Sequence, residues 1–387
     1  MGPPLPDVSR SGSACWPLLL LSSASHHWLV AAASPPHITM VSLDPVSRFK
    51  GSLLGALLGD CIGGFFEGHE SVSVQWVLTV LQDLEKSGHG EQVMTYTDDT
   101  AMARSVVRSL LETHTFNEKD LAQRFTSEYF SDPDRGYGMG VINVFEKLQS
   151  GEYCNVFTPA KEQFNGKGSY GNGAAMRVVG IPLAFPNVQD IIKYAEVSGK
   201  LTHSSSLGYN GAILQALAVH YALQGEQSRD TFLEHLLSHM QEVEADEKSR
   251  ADALELELGE FPYCKRLKKI KEFLDKKNVS RDDVVKELGH GIAALESVPT
   301  AIYSFLHCMD PVADLPQEFN SLQRTIVFCI TLGGDTDTIA TMAGAIAGAY
   351  HGAEQIPPIW KLNSEGYKEA ENWGEQLHHL YNSRLPS

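Results

Sequence analysis

The chain has no CxxC pair, no HExxH, no hydrophobic run long enough to cross a bilayer and almost no apolar–polar alternation of period two. Each absence excludes something. Six scattered cysteines (Cys15, Cys61, Cys154, Cys264, Cys308, Cys329) do not make a disulfide framework and read as reduced thiols of an intracellular protein. Basic charge is scarce: 31 Lys and Arg against 48 Asp and Glu leave a formal charge of −17. Nucleic-acid binding needs a basic footprint, so the balance argues against nucleic acid as a partner. A phosphorylated small molecule stays open, because backbone amides and metal ions hold phosphate locally. With 43% apolar residues, helix-period runs and no strand signal, the 387 residues predict an all-α globular protein of roughly ten or more helices, with no membrane span.

Residues 1–39 differ from the rest. They are rich in Ser, Pro and Ala, and Arg10 is their only Lys or Arg. Their apolar run from Trp16 to Leu21 is too short to span a bilayer. It could belong to a weak signal or an organellar transit segment, but a transit peptide wants more arginine. The expected division is an unstructured or targeting-like extension over 1–45 and a folded domain over 46–387.

Acid–hydroxyl clusters are the most informative feature present. Gly333-Gly334-Asp335-Thr336-Asp337-Thr338 runs into IATMAGAIAGAYHG, a small-residue stretch that suits a helix packed very close to its neighbours. Asp335 and Asp337 fall at the start of that helix, where anions oppose the dipole favourably. Hard oxygen ligands so closely spaced favour Mg2+ or a similar ion over zinc. An ordinary N-cap with a spare acid explains this cluster alone equally well. Thr97-Asp98-Asp99-Thr100 repeats the chemistry ahead of another helical run, AMARSVVRSLL. Two such clusters could hold two divalent cations that share a carboxylate.

Phe49, Leu53, Leu54, Leu57 and Leu58 predict a first buried helix ending at Gly63-Gly64. Glu67 then lies in a glycine-flanked loop, as a candidate catalytic acid on a mobile segment or a solvated glutamate. FNGKGSYGNGAAMR, residues 164–177, is a glycine-rich loop that could turn amides onto a diphosphate while Phe164 or Tyr170 stacks on a base. It matches neither Walker A nor GxGxxG, and a flexible connector is the plain alternative. His203 faces a site or caps a helix end. His235 and His239 share a helix face that reads as solvated, and Gly291 to Glu296 begins another buried helix.

FCITLGGDTDT superficially matches the haloacid-dehalogenase aspartate motif, but the required parallel sheet is not readable. An isoprenoid-synthase DDxxD fails because Met102 stands where the third acid belongs. GALLGDCIGGFFE, YTDDTAMA, GKGSYGNGAAMR, LTHSSSLGYNGA and LGGDTDTIATMAGAIAGA, from about Ser47 onward, resemble the ADP-ribosyl-acceptor hydrolase (ADP-ribosylglycohydrolase) family, and most of all its serine-directed branch.

That resemblance implies a single orthogonal all-α domain with a binuclear Mg2+ site at helix N-termini. Thr97, Asp98, Asp99 and Asp337 would hold one ion, and Glu67, Asp335, Asp337 and Thr338 the other. Gly168, Ser169, Tyr170, Gly171, Asn172 and Gly173 would cradle the diphosphate, with Phe164 and Tyr170 on the adenosine. Asp98, His203, Leu256 and Ile292 would meet substrate, and Glu67 and Asp335 would be the catalytic acids. The implied activity is hydrolysis of ADP-ribose from serine, poly(ADP-ribose) and O-acetyl-ADP-ribose. ADP-ribose-bearing proteins and small molecules would be its partners, for a monomer of nucleus and cytoplasm, with the mitochondrial matrix a further compartment. A non-catalytic, ADP-ribose-binding or crystallin-like relative is the alternative.

Overall fold

Glycine and alanine decide the architecture by letting two helices touch through their backbones. A computed structural model describes residues 44–86, 93–152 and 155–385. Apart from Asp44 and Pro45, the expected N-terminal extension, with its signal or transit reading, lies outside these residues. The labelled helices are α1 (Pro45–Gly63), α2 (Asp98–Thr113), α3 (Ser206–Gln224), α4 (Ala294–His307), α5 (Ser321–Ile330), α6 (Thr336–His351) and α7 (Tyr367–Asn382). Among the described residues there is no strand, and β pairing is limited to isolated bridges at Met94–Ser364 and Gly171–Ala293. The all-α expectation holds. The helix expected from Gly291 starts at Ala294, because Ile292 and Ala293 instead pair with the glycine-rich loop.

α6 packs against α1, α3, α4 and α5. Thr336 through Ala349 are all buried, as a helix apolar on every side must be. α1 runs antiparallel to it, with Gly51, Gly55, Gly59 and Gly63 against Gly348, Gly344, Ala340 and Asp337. A Cβ on Gly55 or Gly59 would enter the Gly344 or Ala340 carbonyl, and one on Gly63 would stand 2.5 Å from the Asp337 Cα. Close-packed interiors do not absorb such overlaps. The register therefore brings the C-terminal end of α1 against the N-terminal turn of α6.

His235 and His239 are not on a solvated face. Both are half-buried against Tyr221, their ring centroids 4.6 and 6.1 Å from its own, and the Tyr221 hydroxyl lies 2.7 Å from His239 Nε2. Their spacing serves packing across α3, a partner that sequence periodicity cannot name.

Candidate active site

Gly333 and Gly334 make the turn into α6 with φ of 72° and 73°, in the left-handed region that favours glycine. A side chain on either would strike the Glu70 or His290 carbonyl. The Gly334 amide donates to His69 O at 2.8 Å, and Gly68 N donates back to Gly334 O at 3.1 Å. Asp335 stands at the N-cap position of α6 without a side-chain capping bond, its amide held by His290 O at 2.9 Å, while the Thr336 hydroxyl donates to Gly63 O at 2.9 Å. The same contacts pin the segment that carries Glu67. Phe66 is fully buried and lies edge-on to Trp76 with centroids 5.0 Å apart. Glu67 is exposed on a turn whose backbone is held by these hydrogen bonds.

Asp60 was not singled out by the sequence. It is fully buried on α1, where its carboxylate accepts from the Thr97 amide at 2.9 Å and the Thr100 amide at 3.0 Å. It thus satisfies two orphan amides at the start of α2 and fixes that helix end to α1. The available signal was a carboxylate inside the apolar run LLGALLGDCIG, which burial makes costly unless it is partnered.

Two acidic triplets result. Asp60, Asp99 and Asp337 each offer an oxygen within 4.8 Å of the others, and so do Glu67, Asp335 and Asp337. Asp337 belongs to both. The hydroxyls of Thr97 and Thr338 converge on Asp99 Oδ2 at 3.1 and 3.4 Å, while Asp99 Oδ1 is buried without a hydrogen-bond partner. Asp98 is half-buried beside the triplets and belongs to neither. Burial and neighbouring carboxylates raise the pKa values of Asp98, Asp99, Asp337 and Glu67. Burial and then Asp337 push Asp99 well above the usual range, and burial and then Asp335 do so for Asp337. Burial, Asp60, Asp335 and Glu67 lift Asp98 to about 7. Desolvation, with Asp335 and Asp60 nearby, raises Glu67. Crowded hard-oxygen donors with a bare buried oxygen fit a divalent cation, whose charge would reverse the repulsion.

A cleft of about 240 Å³ adjoins the glycine-rich loop. Phe164, Gly168, Ser169, Tyr170, Gly171, Leu256 and Ile292 line it, so seven of the expected substrate residues meet there. Phe164 and Asn165 carry φ of 50° and 57° and Gly168 of 77°, which curls the loop tightly. Asn172 N donates to Ile292 O and Ala294 N to Tyr170 O, whereas the Ser169 and Tyr170 amides find no acceptor among the described residues. His203 is buried beneath the loop, where a Cβ on Gly173 would come within 3.0 Å of its ring. Burial and the nearby Arg177 drop its pKa to about 3, so it stays neutral. Asn172 joins the two regions, its Nδ2 donating to Asp335 Oδ2 at 2.5 Å and Ser297 Oγ at 3.1 Å.

A family model described as ADP-ribosylglycohydrolase matches residues 42–386. ADP-ribosylhydrolase ARH3 of Xenopus tropicalis is 69% identical over 342 residues, covering 88% of this chain and 98% of that protein. The Homo sapiens protein of the same name is 58% identical over 341 residues, covering 87% and 94%. A solved structure described as an ADP-ribosylglycohydrolase-related protein complex superposes with a TM-score of 0.60 at 20% identity. It covers 87% of this chain and 98% of its own, a likeness of fold alone.

Proposed function

The chain belongs to the ADP-ribosylglycohydrolase family, and on that premise we propose that it is a Mg2+-dependent hydrolase releasing ADP-ribose from serine on proteins. Poly(ADP-ribose) and O-acetyl-ADP-ribose complete the proposed substrates. One observation carries the reading: Asp337 belongs to both acidic triplets, and Asn172 ties one of them to the loop that walls the aromatic cleft.

In this reading Phe164 and Tyr170 offer exposed ring faces to the base. The Ser169 and Tyr170 amides donate to the diphosphate, which points the distal ribose toward the carboxylates. Two Mg2+ ions, held by the triplets together with Thr97 and Thr338, would polarise and orient ribose hydroxyls and water. Cleavage at the anomeric carbon passes through an oxocarbenium-like state. A water oxygen bonds to C1″, the C1″–O bond to serine breaks, and the serine oxygen leaves with a proton. Glu67, exposed at the rim with a raised pKa, handles that proton. Asp335, its orientation held by Asn172, is the competing group. The bare Asp99 oxygen favours this over a purely binding relative, which has no use for a cation there.

The test is release of free ADP-ribose from a serine-modified peptide, with and without Mg2+, beside an arginine-linked peptide. Mg2+-dependent release from serine and none from arginine is expected. Full activity after chelation, or efficient cleavage of the arginine linkage, overturns the proposal.

A further inference from the structure

A second cavity, of about 620 Å³, shares a wall with the aromatic cleft. Gly166 and Ser204 face into it, while the next residues along the same two segments, Lys167, Gly168 and Ser205, face the cleft. Lys248 on its rim donates at 2.6 Å to Asp252, which lines the cleft. In a strongly acidic chain, its lining carries three lysines, Lys161, Lys200 and Lys248, against two carboxylates, Glu196 and Asp246. Asp246 is taken up in capping, accepting from the Lys248 and Ser249 amides at 2.9 and 3.1 Å. Glu196 pairs with Lys200, and Lys161 has no ion pair among the described residues. Phe157 and buried Tyr209 add apolar surface, with Lys200 Nζ 4.6 Å from the Tyr209 ring centroid.

We propose that this cavity takes the second ADP-ribose unit of a chain whose first unit fills the cleft, so that the enzyme releases short ADP-ribose chains whole from serine. The inference rests on the serine-linked reading above. In poly(ADP-ribose) each further unit is joined through its C1″ to the 2′ oxygen of the preceding adenosine. A chain therefore continues from the adenosine end of the cleft, away from the acidic triplets and toward Gly166. Its second diphosphate is the anion that Lys161 and Lys200 meet. The Lys200–Glu196 ion pair is partly exposed and costs little to exchange. The chemistry at the first unit is unchanged: water oxygen bonds to its C1″, the bond to serine breaks, serine takes the proton, and the two-unit chain departs intact.

Two serine peptides decide the matter, one bearing a single ADP-ribose and one bearing two. Wild-type protein with Mg2+ should release intact (ADP-ribose)2 as an early product from the second. Lys161→Glu, Lys200→Glu and the double variant should lower that dimer release by about tenfold, as lost bivalent engagement does. Release of ADP-ribose from the singly modified peptide should stay within twofold, which also certifies folding. Trimming of the second peptide to one unit with no free dimer overturns the inference, and so does dimer release that the charge reversals leave unchanged. Failure to act on the singly modified peptide overturns instead the serine-linked reading on which it rests.

Discussion

The Asn172 side-chain amide donates to the Asp335 carboxylate at 2.5 Å across 163 residues of chain, and among the described residues it is the one side-chain hydrogen bond between the glycine-rich loop and the acidic triplets. With both partners buried, it sets where Asp335 points.

Asn172→Ala should leave Asp335 Oδ2 without its donor, while Ser297 keeps its bond to Ala293 O, at a cost of about 1–3 kcal/mol in stability. Turnover of the serine-linked peptide should fall more than ADP-ribose affinity, because Asp335 loses its orientation. Urea unfolding, kcat and calorimetric affinity for ADP-ribose check the two effects separately.

Glu67→Gln keeps the shape of the side chain and removes the ionisable group. Turnover should drop by about 10²-fold or more while ADP-ribose affinity stays within roughly tenfold. If affinity collapses and turnover per bound substrate is normal, Glu67 is a metal ligand and Asp335 transfers the proton.

Stability should depend on pH in opposite senses with and without metal. Asp98 rises from an ordinary 3.8 to about 7 in the fold, and Asp99 and Asp337 are also raised well above their ordinary value. Metal-free native protein thus binds more protons than the unfolded chain between about pH 4 and 7, and its stability falls as pH rises through that window. Mg2+ favours the ionised carboxylates, so its stabilising effect should grow over the same window. Urea midpoints at pH 5 and 7.5, in chelator and in Mg2+, measure both slopes.

Gly63→Ala should destabilise the protein by about 1–3 kcal/mol or more, because its Cβ would overlap the Asp337 Cα. Activity should fall further than stability explains, through displacement of Asp337. Gly64→Ala is the comparison: its Cβ meets nothing closer than 3.4 Å, and the change should stay within about 0.5 kcal/mol. Thermal or urea unfolding of both variants, beside their turnover, tests the contrast.

What the sequence determined by itself was local. Thr97-Asp98-Asp99 and Asp335-Thr336-Asp337 open helices because the Thr97 hydroxyl and the Asp337 carboxylate accept from first-turn amides and the acids oppose the dipole, a property of a few consecutive residues. The helix-period runs determined the all-α fold, and the Gly and Ala stripe of α6 showed that some backbone would come close. Which backbone was decided only by tertiary packing. Asp60 carries no spacing signal, since its partners at Thr97 and Thr100 become neighbours only through the fold. The pinning of Glu67 by Gly68 and Gly334, and the reach of Asn172 to Asp335, are likewise contacts between distant segments. That Asp337 serves both triplets follows from the α1–α6 register, which side-chain-free glycine faces permit at a separation no larger residue could occupy.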